Sequence, residues 1–156
     1  MKESLIKQFE FEYWSNHLIL DALKSTNPIY SKGLQLLSHI LSSHCMWLSR
    51  VNKTDFTCTL FQERTLDECE LLITQNLEGW RTYLSSHSTE NLNEKIEFMS
   101  AWELNPSKRM IAIEDALIHI INHSSYHRGQ IVMGLKNYIE VLPLTTYIMY
   151  ASEIIE

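Results

Sequence analysis

His119-Ile120-Ile121-Asn122-His123-Ser124-Ser125-Tyr126-His127-Arg128-Gly129-Gln130 is the stretch on which the reading of this chain turns. On a helix, residues four apart share a face one turn apart, so His119, His123 and His127 form a stripe. The His123/His127 pair can then bring two imidazoles to one metal ion. Gln130 continues the stripe, and Ala112, Ala116 and Gly134 fall on the same face. Imidazoles flanked by small side chains predict a pocket wall, not a packed core face. A site on one helix needs a further ligand from a facing helix, which is how helical bundles build metal sites.

The rest of the chain supplies the helices. Leu5, Phe9, Tyr13, Leu20 and Leu23 recur at helical intervals and predict a first helix over about 4–24. Ser25-Thr26-Asn27-Pro28 ends it, because proline cannot continue the ladder. A second helix is predicted over about 32–51, with Leu34, Leu37, Leu41, Cys45 and Leu48 on its apolar face. Gln35, Ser38, His39, Ser42 and Arg50 lie opposite, and residues 52–64 read as a loop. Thr65-Leu66-Asp67-Glu68 is a capping-box signature and opens a third helix running to about Ser86. Residues 87–112 read as a long crossover with short extended pieces around Ile96-Glu97-Phe98. The fourth helix runs over about 113–138, with Glu114 and Asp115 at its positive end. Pro143 follows the break, and residues 144–155 read as a short last helix. The prediction is an all-α, antiparallel four-helix bundle. It has one long crossover between helices three and four and forms a single domain over 1–156.

Composition narrows the function. At 156 residues with 45% hydrophobic side chains, the chain can bury a core without staples. A net charge of −6 and scattered Lys and Arg argue against a nucleic-acid binder, whose affinity comes largely from phosphate neutralisation. Cys45, Cys58 and Cys69 show no C-x-x-C spacing, which fits a reducing cytoplasm better than a disulfide framework. No signal-peptide pattern and no apolar run of membrane-spanning length is expected. Trp14, Trp47, Trp80 and Trp102 read as core or pocket wall.

The partner ligand is open on spacing alone. Helix two offers His39 and His44, and helix one offers His17. Zinc takes histidine nitrogens readily, while nickel, iron and copper also suit imidazole. Ser124 stands where an H-E-x-x-H peptidase has its glutamate, and Tyr126 where the inverted motif needs one. A peptidase is therefore disfavoured. The sequence also lacks the glycine-rich phosphate loops and the G-x-S-x-G elbow.

Three blocks resemble the DinB-like family. They are Phe11-Glu12-Tyr13-Trp14-Ser15-Asn16, Leu36-Leu37-Ser38-His39-Ile40-Leu41 with Trp47-Leu48-Ser49-Arg50, and the His119–Gln130 block quoted above. The resemblance implies a four-helix bundle, often a homodimer, with a divalent ion held by three histidines. Carried over by position, these are His39, His123 and His127, with zinc or nickel foremost and iron as a further candidate. On the helical wheel His44 falls within the apolar face and His39 among the serines. The carry-over makes His39 the ligand, with Ser38, Ser42 and Ser43 as polar cleft walls. His44 is then a buried or supporting histidine, and His119 the runner-up on helix four. The chain departs from the family near Pro143, where no glycine precedes the turn and Thr146 stands near an expected aspartate.

Three functions follow. The family's characterised relatives imply transfer chemistry on bacillithiol, mycothiol or glutathione, with a small-molecule thiol and an electrophile as partners. A non-enzymatic metal-binding module related to stress is the second. A hydrolase using a metal-bound hydroxide is the third, and the absence of an obvious general base on the histidine stripe counts against it.

Overall fold

A computed structural model of the chain describes residues 2–56, 59–100 and 104–155. The long helices are α1 (Lys2–Lys24), α2 (Ser31–Asn52), α3 (Leu66–Ser86) and α4 (Ile113–Leu135). A 3₁₀ turn (Glu90–Asn93) and two strands, β1 (Lys95–Met99) and β2 (Lys108–Ala112), join α3 to α4, and α5 (Tyr147–Ala151) closes the chain. This is the expected all-α bundle. No described helix is long and apolar enough to cross a membrane.

Local chemistry sets the helix ends. Thr65 Oγ1 accepts from the Glu68 amide at 3.2 Å, and the Thr65 amide donates back to Glu68 Oε2 at 2.7 Å. The capping box is therefore complete. Ala112 offers α4 no side-chain cap, so the hairpin supplies one acceptor: the Ile113 amide donates to Glu94 O at 2.9 Å. At the other end the helix tightens. Tyr138 N donates to Leu135 O and Asn137 N to Gly134 O, three-residue bonds that close α4 a turn short of the expected end.

Helix direction follows from which residues meet. Lys24 pairs with Glu70 and Arg81 with Glu10, so α1 and α3 are antiparallel. His39 meets His127 and Trp47 meets His119, so α2 and α4 are antiparallel. Asn76 Nδ2 donates to Leu41 O while Trp80 reaches His44, so α2 and α3 run parallel. Gly79 leaves room for the Leu48 side chain at that crossing. Two parallel consecutive helices need a return along the bundle, and residues 53–65 make it. The connection between α3 and α4 is long in sequence, as expected. It is folded as an antiparallel hairpin with Ile96 opposite Ile111, and the traverse falls to 53–65. Ile96-Glu97-Phe98 lies within β1, the extended piece read from the sequence.

The core has two apolar halves. Leu5, Phe9, Trp47, Trp80, Leu117 and Ile120 belong to one, and Ile19, Leu23, Leu37, Ile73, Ile131 and Leu135 to the other. Between them lies a buried polar layer of Glu12, Asn16, His44, Asn76, Ser124 and Arg128. Cys58 and Trp102 lie outside the described residues.

Candidate metal centre

His39 on α2 and His123 and His127 on α4 come together. One nitrogen from each lies within 4.8 Å of the others. The Nε2 atoms of His39 and His123 are 3.1 Å apart. Four-coordinate ligands with bonds of about 2.0–2.1 Å to a central ion sit about 3.3 Å from one another, so the donor set fits a transition ion.

Outer contacts fix two of the rings. His39 Nδ1–H donates to Leu60 O at 3.0 Å, which leaves the Nε2 lone pair facing the cluster. His127 Nδ1–H donates to Gln130 Oε1 at 2.7 Å with the same result. Metal-ligating histidines are oriented in this way in general. His123 Nδ1 is buried and has no hydrogen-bond partner.

The cluster opens into a cavity of about 520 Å³ lined by His39, Ser43, Met46, Trp47, Leu60, Phe61, His119, His123 and His127. Phe61 stacks on His39 with centroids 4.2 Å apart. These walls differ from the serine-lined cleft expected from the sequence. Ser38 and Ser42 are consumed in holding the 53–65 segment. Ser38 Oγ donates to Gln62 O, and Arg64 Nη1 donates to Ser38 Oγ and Ser42 Oγ at 2.8 and 2.7 Å. Only Ser43 of the three lines the cavity, and its hydroxyl donates to His39 O at 3.0 Å. The small residues expected on the α4 wall also lie elsewhere. Ala112 ends β2, Ala116 is in the core, and Gly134 makes room for the Tyr30 ring. They share the histidine face but stand at other heights, with Gly134 roughly 10 Å beyond His127 along the axis.

The other histidines separate cleanly. His44 is buried; its Nδ1 accepts from Trp80 Nε1–H at 3.2 Å, so its proton sits on Nε2 and points to Ser124 Oγ at 3.0 Å. His17 donates from Nδ1 to Tyr13 O at 3.0 Å, on a separate surface groove beside Trp14 and Tyr150. His119 forms the exposed rim of the cavity, edge-on to Trp47 at 5.6 Å.

The polar layer aims the site. Arg128 donates to Glu12 through both terminal nitrogens, at 2.6 and 2.8 Å, and to Asn16 Oδ1 at 3.2 Å and Ser125 Oγ at 3.1 Å. Ser124 and Arg128 each follow a cluster histidine by one residue, or about 100° of helix rotation. Gripping them fixes the azimuth at which α4 presents His123 and His127. Burial pushes the Glu12 carboxyl up, but the charge and hydrogen bonds of Arg128, helped by His44, outweigh it and hold the pKa below the usual value. Sequence reading left Glu12 and Arg128 without roles. The available signal was a lone acid and a lone base, each inside an otherwise aromatic or histidine-rich block.

Burial and the charges of neighbouring histidines press the His123 pKa down to about 3. His39 is lowered mainly by burial, against the opposing pull of the Leu60 carbonyl. The shielding walls and then the Arg50 charge lower His119. A depressed histidine stays neutral in the fold while its unfolded counterpart takes up a proton below about pH 6.5. Stability of the metal-free protein should therefore fall as pH drops from about 6.5 toward 3. The ceiling is about 1.4 kcal/mol per pH unit for each such histidine, reduced because these rings are partly open to water. Urea midpoints of metal-free protein at pH 7.5 and 5 should differ, with a smaller difference in His123→Gln. Equal midpoints in the parent protein would contradict the assignment.

The sequence matches the DinB family over residues 7–152. The chain belongs to the DinB family. Protein DinB of Bacillus subtilis (strain 168) is 26% identical over 149 residues, which cover 87% of this chain and 87% of that protein. No solved structure matches this chain. The family match takes in α2 to α5 whole and most of α1. It thus includes every residue of the three-histidine cluster and both partners of the Glu12–Arg128 pair.

Proposed function

We propose that His39, His123 and His127 hold one divalent transition ion and that this DinB-family protein transfers a low-molecular-weight thiol to an electrophile. The carrying observation is the meeting of three imidazoles, two with Nε2 lone pairs fixed by outer contacts, at one side of a cavity of about 520 Å³. Three protein ligands leave a coordination position for another molecule, whereas structural zinc sites are normally closed by four. A divalent ion, when bound, lowers the pKa of a coordinated thiol and so supplies thiolate at neutral pH.

The chain's own residues do the rest. The Leu60 carbonyl and Gln130 keep two ligand rings turned to the cluster. Met46, Trp47, Leu60 and Phe61 form an apolar wall that excludes water from the reacting sulfur. In the transfer, the thiol proton goes to solvent, the sulfur bonds to the electrophilic carbon, and the leaving group departs with its electron pair. Among the described residues lining the cavity there is no carboxylate to serve as general base for water attack. That favours a thiol nucleophile over hydrolysis.

Untagged protein reconstituted with zinc, nickel or cobalt should hold about one ion per chain. Titrating bacillithiol, mycothiol, glutathione and cysteine into the cobalt form should add a sulfur-to-metal charge-transfer band for at least one of them. The same thiol should support conjugation of a generic electrophile above the His127→Ala background. Metal content near zero rejects the site. Bound metal with neither band nor conjugation rejects the transferase and leaves a non-enzymatic metal-binding module.

A further inference from the structure

The cavity wall on α2 continues past the three-histidine cluster. His39, Ser43, Trp47 and Arg50 follow one another at steps of three or four residues, so they form one stripe of the helix. The first three line the cavity, and Arg50 comes next. Its guanidinium carbon lies 4.5 Å from the Trp47 ring centroid and 5.5 Å from that of Phe98. The group is thus held against the cavity wall on one side and the hairpin on the other. Its Nη1 is sealed from solvent and has no hydrogen-bond partner. Among the described residues no carboxylate pairs with it. Burial draws its pKa down, and no neighbouring charge draws it back.

A shielded guanidinium N–H without an acceptor is costly, and its flat fork matches a carboxylate better than any other common anion except phosphate. In a chain of net charge −6, a cation left unpaired beside an apolar cavity is the feature that calls for a ligand. Arg50 reaches back over the Trp47 ring, which shortens the roughly 16 Å of helix axis between it and His39.

We propose that Arg50 anchors a carboxylate of the thiol cofactor, so that the cavity selects carboxylate-bearing thiols over neutral ones. The proposal rests on the cavity's being the thiol site and adds the ligand's charge to that reading. Arg50 contacts the cofactor and not the reacting atoms, so it governs affinity, leaving metal content unchanged.

Glutathione and its diethyl ester carry the same sulfur and differ in their carboxylates. In metal-loaded parent protein, the free acid should bind at least about tenfold more tightly than the ester. Arg50→Met should erase that preference by weakening the acid alone, with ester affinity and metal content as in the parent. Arg50→Lys, which keeps the charge but not the fork, should retain part of it and guards against a folding defect. A preference that survives Arg50→Met, or none in the parent, overturns the proposal. If no thiol gives the cobalt charge-transfer band, the transferase reading has failed separately. The Arg50 site is then read by calorimetry with S-methylglutathione. Binding that weakens about tenfold in Arg50→Met keeps it, and absent or unchanged binding overturns it.

Discussion

Arg128→Met should lower the unfolding free energy by about 3–5 kcal/mol, a large share of the roughly 5–15 kcal/mol that holds a domain folded. Arg128 and Glu12 are both essentially sealed from water, and the pair is bidentate. Removing one partner leaves the other charge buried with nothing to answer it. Asn16 Oδ1 and Ser125 Oγ lose a donor in the same change. Glu12→Leu should be comparably severe. The double variant Glu12→Leu/Arg128→Met should lose less than either single change, because no charge is then desolvated. Urea unfolding followed by circular dichroism measures all three. Single variants within about 1 kcal/mol of the parent protein would mean that the pair is solvated in solution and that the polar layer does not set the orientation of α4.

Much of the bundle was legible because its signals are local. The Thr65–Glu68 box reads directly as the start of α3, and the Ser25–Pro28 cluster as the end of α1. Helix direction was not legible. Periodicity says which face of α2 is apolar, but not that α3 runs parallel to it. Hence connection length misled: 87–112 is the longer link, yet it is a local hairpin, while 53–65 returns along the bundle. Thirteen extended residues reach about 45 Å, enough to return along the roughly 33 Å of a 22-residue helix.

The same topology explains the site. His39, Ser38 and Ser42 look like a solvent face of α2, and all three are buried because the returning segment lies on them. That segment then supplies Leu60 and Phe61 to the cavity, which no helical pattern could indicate. His44 sits in the apolar face for another reason. Trp80 and Ser124 satisfy both its nitrogens, and it helps bridge the two halves of the core. The small-residue stripe of α4 shows the opposite failure. A helical wheel collapses height, so Ala116 and Gly134 projected onto a pocket that they do not reach.

His39→Ala, His123→Ala and His127→Ala should each weaken binding of a divalent transition ion by more than about 100-fold. That exceeds the 10–100-fold expected from loss of an outer partner. With three protein ligands, each removal leaves only two in the cluster, and neither His44, spent on Trp80 and Ser124, nor His17, on another groove, can swing in. Gln130→Ala should fall in the lower range, because it removes the acceptor that keeps His127 Nε2 facing the cluster. His17→Ala should bind metal as the parent protein does. His44→Ala should also keep its metal while losing stability, since the Trp80 N–H is left buried without an acceptor. Competition against a chromophoric chelator gives the affinities, and urea midpoints give the stabilities. The decisive comparison is between the two α2 histidines. If His44→Ala abolished metal binding while His39→Ala spared it, the ligand would come from the apolar face of α2. The cluster at the cavity would then be only three packed imidazoles.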